Sequence, residues 1–160
     1  MYGNRNEYGH KMIDRSPRPP LWECPVCHRQ FPNANQSHAC GIHDIEHHFR
    51  NRSPGIRALY DRFVEAIDEV GPVIINPEKT RIAFQVRMSF AQITPRNRWL
   101  DGHLVLARRC ESPMFSKIET FSPRNHIHVF RIVHASDINE ELRGYLRDAY
   151  AVGEQKHLDL

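Results

Sequence analysis

Apolar residues recur at helical spacing at Ile56, Leu59, Tyr60, Phe63, Val64, Ile67 and Val70, with Asp61, Arg62, Glu65, Asp68 and Glu69 between them. That period predicts an amphipathic helix with one face in a core. Ser53-Pro54 supplies an N-cap and a first-turn proline, and Gly71-Pro72 ends the helix. The pattern then changes period. Residues 73–75 read as a short strand and Asn76-Pro77-Glu78-Lys79 as a turn. From 81 to 90, Ile82, Phe84, Val86, Met88 and Phe90 alternate with Arg81, Gln85, Arg87 and Ser89. Alternation of this kind predicts one half-buried strand with a polar, basic outer face.

Residues 91–93 and 99–107 continue the sheet, interrupted at Thr94-Pro95-Arg96, and 126–133 form its last strand. In that strand Phe130 and Ile132 share one face while Ile127, Val129 and Val133 share the other, so both faces read as covered. A second helix follows, with the stripe Ile138, Leu142, Tyr145, Leu146, Ala149 and Tyr150, a capping pair Asp137 and Glu140, and a stop at Gly153. Helix, several strands, helix implies an α+β fold with a small, mostly antiparallel sheet flanked by two amphipathic helices. Residues 1–20 are polar with three prolines and read as a disordered lead-in. The expected organisation is lead-in at 1–20, a small module at 21–42, the α+β domain at 43–155 and a tail at 156–160.

Four cysteines change the picture. Three of them crowd beside a histidine in Cys24-Pro-Val-Cys27 and, ten residues on, His38-Ala-Cys40. Cys-x-x-Cys presents two thiolates from one turn, and His-x-Cys supplies two further corners of a tetrahedron. Three sulfurs and one imidazole suit zinc. A loop this short buries little core, so the expectation is a Cys3His zinc finger held by its metal. His28 and His43 are alternative ligands. Cys110 stands alone and reads as a small buried hydrophobe. The first twenty residues lack an apolar core, and no apolar stretch approaches membrane-spanning length. The expectation is a cytoplasmic protein without membrane contact.

The net charge is +3, unevenly spread. Residues 71–135 carry ten Lys/Arg against four Asp/Glu, while the helical segments on either side are acidic. This favours an anionic partner, such as nucleic acid or another polyanion. Arg81 and Arg87 project from the polar side of their strand, and Arg98, Arg108, Arg109, Arg124 and Arg131 come from neighbouring segments. Converging on one face, they would grip phosphates, with Trp99 stacking on a base. His126 and His128 lie two apart on a strand and so share a face, suiting an acid–base pair or a metal site; with no carboxylate motif beside them, they read as a structural or surface pair. His43, His47 and His48 lack the glutamate placement of a His-Glu-x-x-His site and read as a surface helix. No phosphate-binding glycine loop and no Gly-x-Ser-x-Gly elbow is present, which leaves a nucleotide hydrolase without support.

The combination of Trp22-x-Cys24-Pro-x-Cys27 with Asn35-Gln36-Ser37-His38-x-Cys40-Gly41 resembles the N-terminal finger of bacterial proteins in the domain of unknown function 5655 family. The resemblance continues through Lys79-Thr-Arg-Ile-Ala-Phe-Gln-Val-Arg87, Arg98-Trp99-Leu100, Thr120-Phe-Ser-Pro-Arg124, His128-x-Phe130-Arg131 and Ala149-Tyr150. It spans about 22–155 and implies a finger fused to a small α+β domain, with no characterised activity.

Three functions compete. The first is a zinc-containing binding protein whose basic sheet face, with Arg81, Arg87, Trp99, Arg124, His128 and Arg131 as candidate ligand-binding residues, engages nucleic acid or another polyanion. The second is an enzyme with Arg87, Arg124, His128 and Arg131 in one pocket. The third is a protein-interaction adaptor that docks through the finger.

Overall fold

The computed structural model describes residues 18–41 and 43–159. The lead-in expected at 1–20 therefore lies outside the described residues except for 18–20, which have no regular structure. The first elements are two short paired strands, β1 (Trp22–Glu23) and β2 (Gln30–Phe31), which frame the Cys-x-x-Cys turn. A 3-10 turn at Ile45–Phe49 follows, capped by the Asp44 carboxylate, which accepts from the Glu46 N–H. Helix α1 (Pro54–Asp68) comes next, with Ser53 at the N-cap position in extended backbone.

The main sheet has six antiparallel strands: β3 (Ile74–Pro77), β4 (Ile82–Gln85), β5 (Ser89–Pro95), β6 (Leu100–Leu106), β7 (Lys117–Ser122) and β8 (Asn125–Ile132). Their spatial order is β3-β4-β5-β6-β8-β7. Helix α2 (Glu140–Gly153) and a 3-10 turn at Lys156–Asp159 are the last elements among the described residues. The fold is α+β, as the periodicities imply. No helix among the described residues is long and apolar enough to cross a membrane.

Both helices pack on one face of the sheet. Phe63 of α1 meets Phe84 edge-on with ring centroids 5.5 Å apart and lies 6.1 Å from Phe130. Leu142, Leu146 and Ala149 of α2 are buried in the same cluster with Ile82, Ile93 and Leu104. Asn139, not Asp137, caps α2: its side-chain oxygen accepts from the Leu142 N–H at 2.9 Å. Asp137 instead accepts from the Val133 and His134 N–H groups and closes the turn between β8 and the helix.

The segment 81–90 is not one strand. It turns back on itself between β4 and β5, because the carbonyl oxygen of Gly153, at the end of α2, accepts from the backbone N–H groups of both Arg87 and Met88 at 3.0 Å. Alternation continues through the bend, so the pattern alone looks uninterrupted. The bend places Arg87 away from Arg81 instead of on the same strand face. Strand β7 forms the sheet edge, with Phe121 82% exposed and Lys117 and Glu119 outward. An edge strand carries little apolar alternation, which hides it from periodicity.

The Cys/His module sits against the opposite face of the sheet. Gln85, buried on that face, donates from Nε2 to the carbonyl oxygen of Gln30 at 2.6 Å. Arg29 pairs with Glu78 at 3.2 Å. The C-terminal turn is tied down by Arg18, which donates to the Gln155 carbonyl and to Asp159.

Phe84 and Val86 test the bend together. Phe84→Ala should cost about 3–5 kcal/mol in denaturant unfolding, the range for a lost buried phenylalanine. Val86→Ala, at a half-buried position in the bend, should cost under about 1.5 kcal/mol, a conservative bound for a partly exposed side chain. Equal costs would contradict the break at 86–88.

Candidate metal centre and basic surfaces

The Cys24–Cys27 turn has a hydrogen-bond frame of its own. The Cys24 N–H donates to the Arg29 carbonyl and the His28 N–H to the Cys24 carbonyl, both at 2.9 Å. His28 follows in the left-handed region with φ of 60°, which swings the chain out into β2. Phe31 lies buried beneath the site, its ring 4.3 Å from that of His38.

The ligand atoms of Cys24, Cys27, His38 and Cys40 all lie within 4.8 Å of one another, and the group can hold a metal ion. Cys24 Sγ is 3.7 Å from Cys40 Sγ, and His38 Nε2 is 3.2 Å from Cys27 Sγ and 3.3 Å from Cys40 Sγ. His38 Nδ1 donates to the Gln36 carbonyl at 2.7 Å, which fixes the tautomer and leaves Nε2 free as a ligand. The electrostatics favour a cation. The backbone N–H of Cys27 pulls the Cys24 thiol down to about 6 against the effect of burial. The hydrogen bond to Cys24, together with burial, pushes Cys40 up to about 11. Neighbouring thiolates resist ionising together, and a cation between them lets each lose its proton. His28 and His43 are outside this quartet.

The basic residues do not gather on one face. Arg81 pairs with Glu78 at 2.7 Å beside the Cys/His module. Arg87 donates to Gln155 Oε1 at 2.9 Å and to the Pro19 carbonyl at 2.8 Å. Arg124 reaches the His157 carbonyl at 3.5 Å. Arg87 and Arg124 thus hold the C-terminal segment. Only Trp99 and Arg131 meet: the Arg131 guanidinium lies 4.2 Å from the indole centroid.

Around that pair the structure adds residues the periodicity does not single out. Arg96 and Arg131 bond the two oxygens of Asp101 at 2.8 and 3.2 Å, and the Trp99 Nε1–H donates to Asp101 at 3.0 Å. Burial pushes the Asp101 carboxyl up, but the two guanidinium groups outweigh it and hold the carboxyl below its ordinary value. Arg52, Arg96, Asn97, Arg98 and Trp99 line a shallow depression here. Arg98 is exposed and makes no ion pair among the described residues. Arg98 is one of the basic residues named from the sequence, and Arg96 is marked by its closeness to Trp99. Arg52 arrives from before α1, held by its bonds to the His48 carbonyl and Asn97, and no local signal marks it.

The profile of a family described as Domain of unknown function (DUF5655) matches residues 45–153. The chain belongs to this family. No curated protein matches the chain, and no solved structure does. The DUF5655 match takes in α1, the six-stranded sheet and α2, and the Cys/His quartet that can hold a metal ion lies ahead of it.

Within the DUF5655 domain, His128 has a structural place. It is fully buried on the helix-covered face, and Arg131 lies on the other face of the same strand. Its Nδ1–H donates to the His126 carbonyl at 2.9 Å, and its Nε2 accepts from the Cys110 N–H at 2.9 Å. Both nitrogens are engaged as the neutral ring requires, with Phe115 packed 4.8 Å away. Cys110 is buried beside it, consistent with an inert small side chain.

Burial pushes the His128 imidazole below its ordinary value of 6.5. The unfolded chain therefore takes up this proton first as pH falls. The stability linked to His128 is fully present above pH 6.5 and is lost as pH drops from there towards the folded value. Unfolding free energy measured by denaturant titration should decline below pH 6.5, with a shallower decline in His128→Gln. An identical pH slope in the variant would contradict the neutral, buried assignment.

Proposed function

We propose that the chain is a zinc-containing binding protein in which a metal-braced module supports an α+β domain that engages nucleic acid through the surface around Trp99. The reading of the metal as zinc rests on donor chemistry and spacing. A tetrahedral ion with the usual zinc bond lengths sets sulfur–sulfur edges of about 3.8 Å and sulfur–nitrogen edges of about 3.6 Å. The 3.7 Å edge between Cys24 and Cys40, and the 3.2 and 3.3 Å edges at His38, lie close to these. Four protein ligands leave no open position, so the ion acts as a cross-link. Cys24 and Cys27 fix one turn, His38 and Cys40 fix the returning chain, and Gln36 orients the imidazole.

The observation that carries the binding reading is the gathering of Arg52, Arg96, Arg98 and Arg131 around Trp99, with Asp101 their one carboxylate partner there. Planar guanidinium forks match phosphate oxygens, and an aromatic ring among them suits an unstacked base. Arg81, Arg131 of β8 and Trp99 belong to the exposed side of the domain, whereas Arg87, Arg124 and His128 contribute to its folding. Single-stranded nucleic acid is the partner this chemistry favours.

Two experiments test the reading. Elemental analysis of purified protein should give one zinc per chain, and Cys27→Ser should lose it while the domain's thermal transition persists. Absence of zinc, or full zinc retention in the variant, would contradict the assignment. Separately, fluorescence anisotropy with a single-stranded oligonucleotide should show binding that weakens with salt by about 0.7 log units per log unit for each phosphate contact. Arg98→Gln should flatten that slope by about one contact. No binding at low salt would refute the nucleic-acid reading, and heparin binding without oligonucleotide binding would replace it with a different polyanion.

A further inference from the structure

A second basic site lies where the Cys/His module meets the sheet, and it shares no lining residue with the Trp99 surface. A cleft of about 400 Å³ opens there, within the size range of small-molecule sites. One wall is the chain between β2 and the last metal ligand, including Gln36, Ser37 and His38. The other is the β3–β4 turn and the open sheet face, including Lys79, Arg81 and Gln92. Arg29 completes the basic lining, and Glu78 is the one carboxylate there among the described residues.

Three cations against one carboxylate leave two net positive charges. Glu78 bridges Arg29 and Arg81, at 3.2 and 2.7 Å, and so holds both guanidinium groups in place at the rim. Neither guanidinium is saturated by that bridge. Arg29 engages Glu78 through Nη2, and its buried Nε has no hydrogen-bond partner among the described residues. Arg81 engages it through Nε, leaving both terminal nitrogens. Phe31, Pro32 and Met88 add apolar surface to the same cleft.

We propose that this cleft binds a small phosphate monoester, with the phosphate held by Arg29, Lys79 and Arg81 and the organic body against Phe31 and Met88. A phosphate monoester carries nearly two negative charges at neutral pH and offers three acceptor oxygens to the Arg29 and Arg81 guanidinium groups and the Lys79 ammonium, which keep the cleft net positive, at about +1, beside a Cys3His zinc group of charge −1. A carboxylate carries half that charge and offers fewer acceptor oxygens. Residues 36–41 owe their position to His38 and Cys40, so one wall exists only while the metal group is closed. Ligand binding is therefore linked to the metal, and the coupling runs in both directions. The inference uses the metal-braced module but not the nucleic-acid reading of the Trp99 surface.

The test is calorimetry on metal-loaded, full-length protein with adenosine 5′-monophosphate, inorganic phosphate and adenosine as probes. The monophosphate should bind, inorganic phosphate should compete with it, and adenosine should bind at least about tenfold more weakly, the loss of one charge-assisted contact. Arg81→Gln, at an exposed rim position, should weaken the monophosphate by a similar factor without changing metal content. Removing the metal with a chelator should abolish binding while the α+β domain stays folded. Three results overturn the proposal: no binding of either phosphate probe, adenosine binding as well as its monophosphate, or unchanged affinity after Arg81→Gln or metal removal. Oligonucleotide binding at the Trp99 surface is scored separately with Arg98→Gln, so either site can fail alone.

Discussion

Two buried side chains, Cys24 and Phe31, are all the apolar core that the segment from Trp22 to Gly41 possesses. That is too little burial to offset the entropy of ordering some twenty residues. On the proposed reading, the constraint that holds the segment is a metal ion in the quartet of Cys24, Cys27, His38 and Cys40, whose ligand atoms sit within 4.8 Å. Everything built on the module inherits that constraint. Gln30 can accept from Gln85, and Arg29 can reach Glu78, only when the Cys-x-x-Cys turn has delivered them to the sheet. The domain, by contrast, has its own core of aromatic and aliphatic side chains from α1, α2 and the sheet.

Legibility in the sequence followed the range of the interactions involved. The Cys/His cluster was legible because its geometry is set locally, by two turns with fixed spacing. The two long helices were legible because burial along one face imposes a period. The bend at 86–88 was not, because the group that causes it is the Gly153 carbonyl at the far end of the chain. Strand β7 was hidden because its edge position requires hydrogen bonds to β8 and little apolar alternation. The capping residue of α2 was misplaced by two positions because Asp137 and Asn139 are both competent caps, and the choice depends on how the chain leaves β8.

The basic residues show the same limit more sharply. Charge counting correctly marks the middle of the chain as positive, but it cannot say which cations are spent on structure. Arg87 and Arg124 hold the C-terminal segment, and His128 is locked between two backbone groups inside the core. Arg131 and Trp99 stack, and Arg52 reaches them from a loop that adjoins neither in sequence. The cleft beside the module was likewise illegible, since its walls come from segments joined only by docking.

On the proposed reading, a metal ion in the Cys/His quartet keeps the module on the sheet, and amide hydrogen exchange before and after chelation reads this out. Protection at Cys24, His28 and Phe31 should collapse on metal removal, while the strand amides of β5, β6 and β8 keep theirs. Undiminished protection of the module without metal would contradict it.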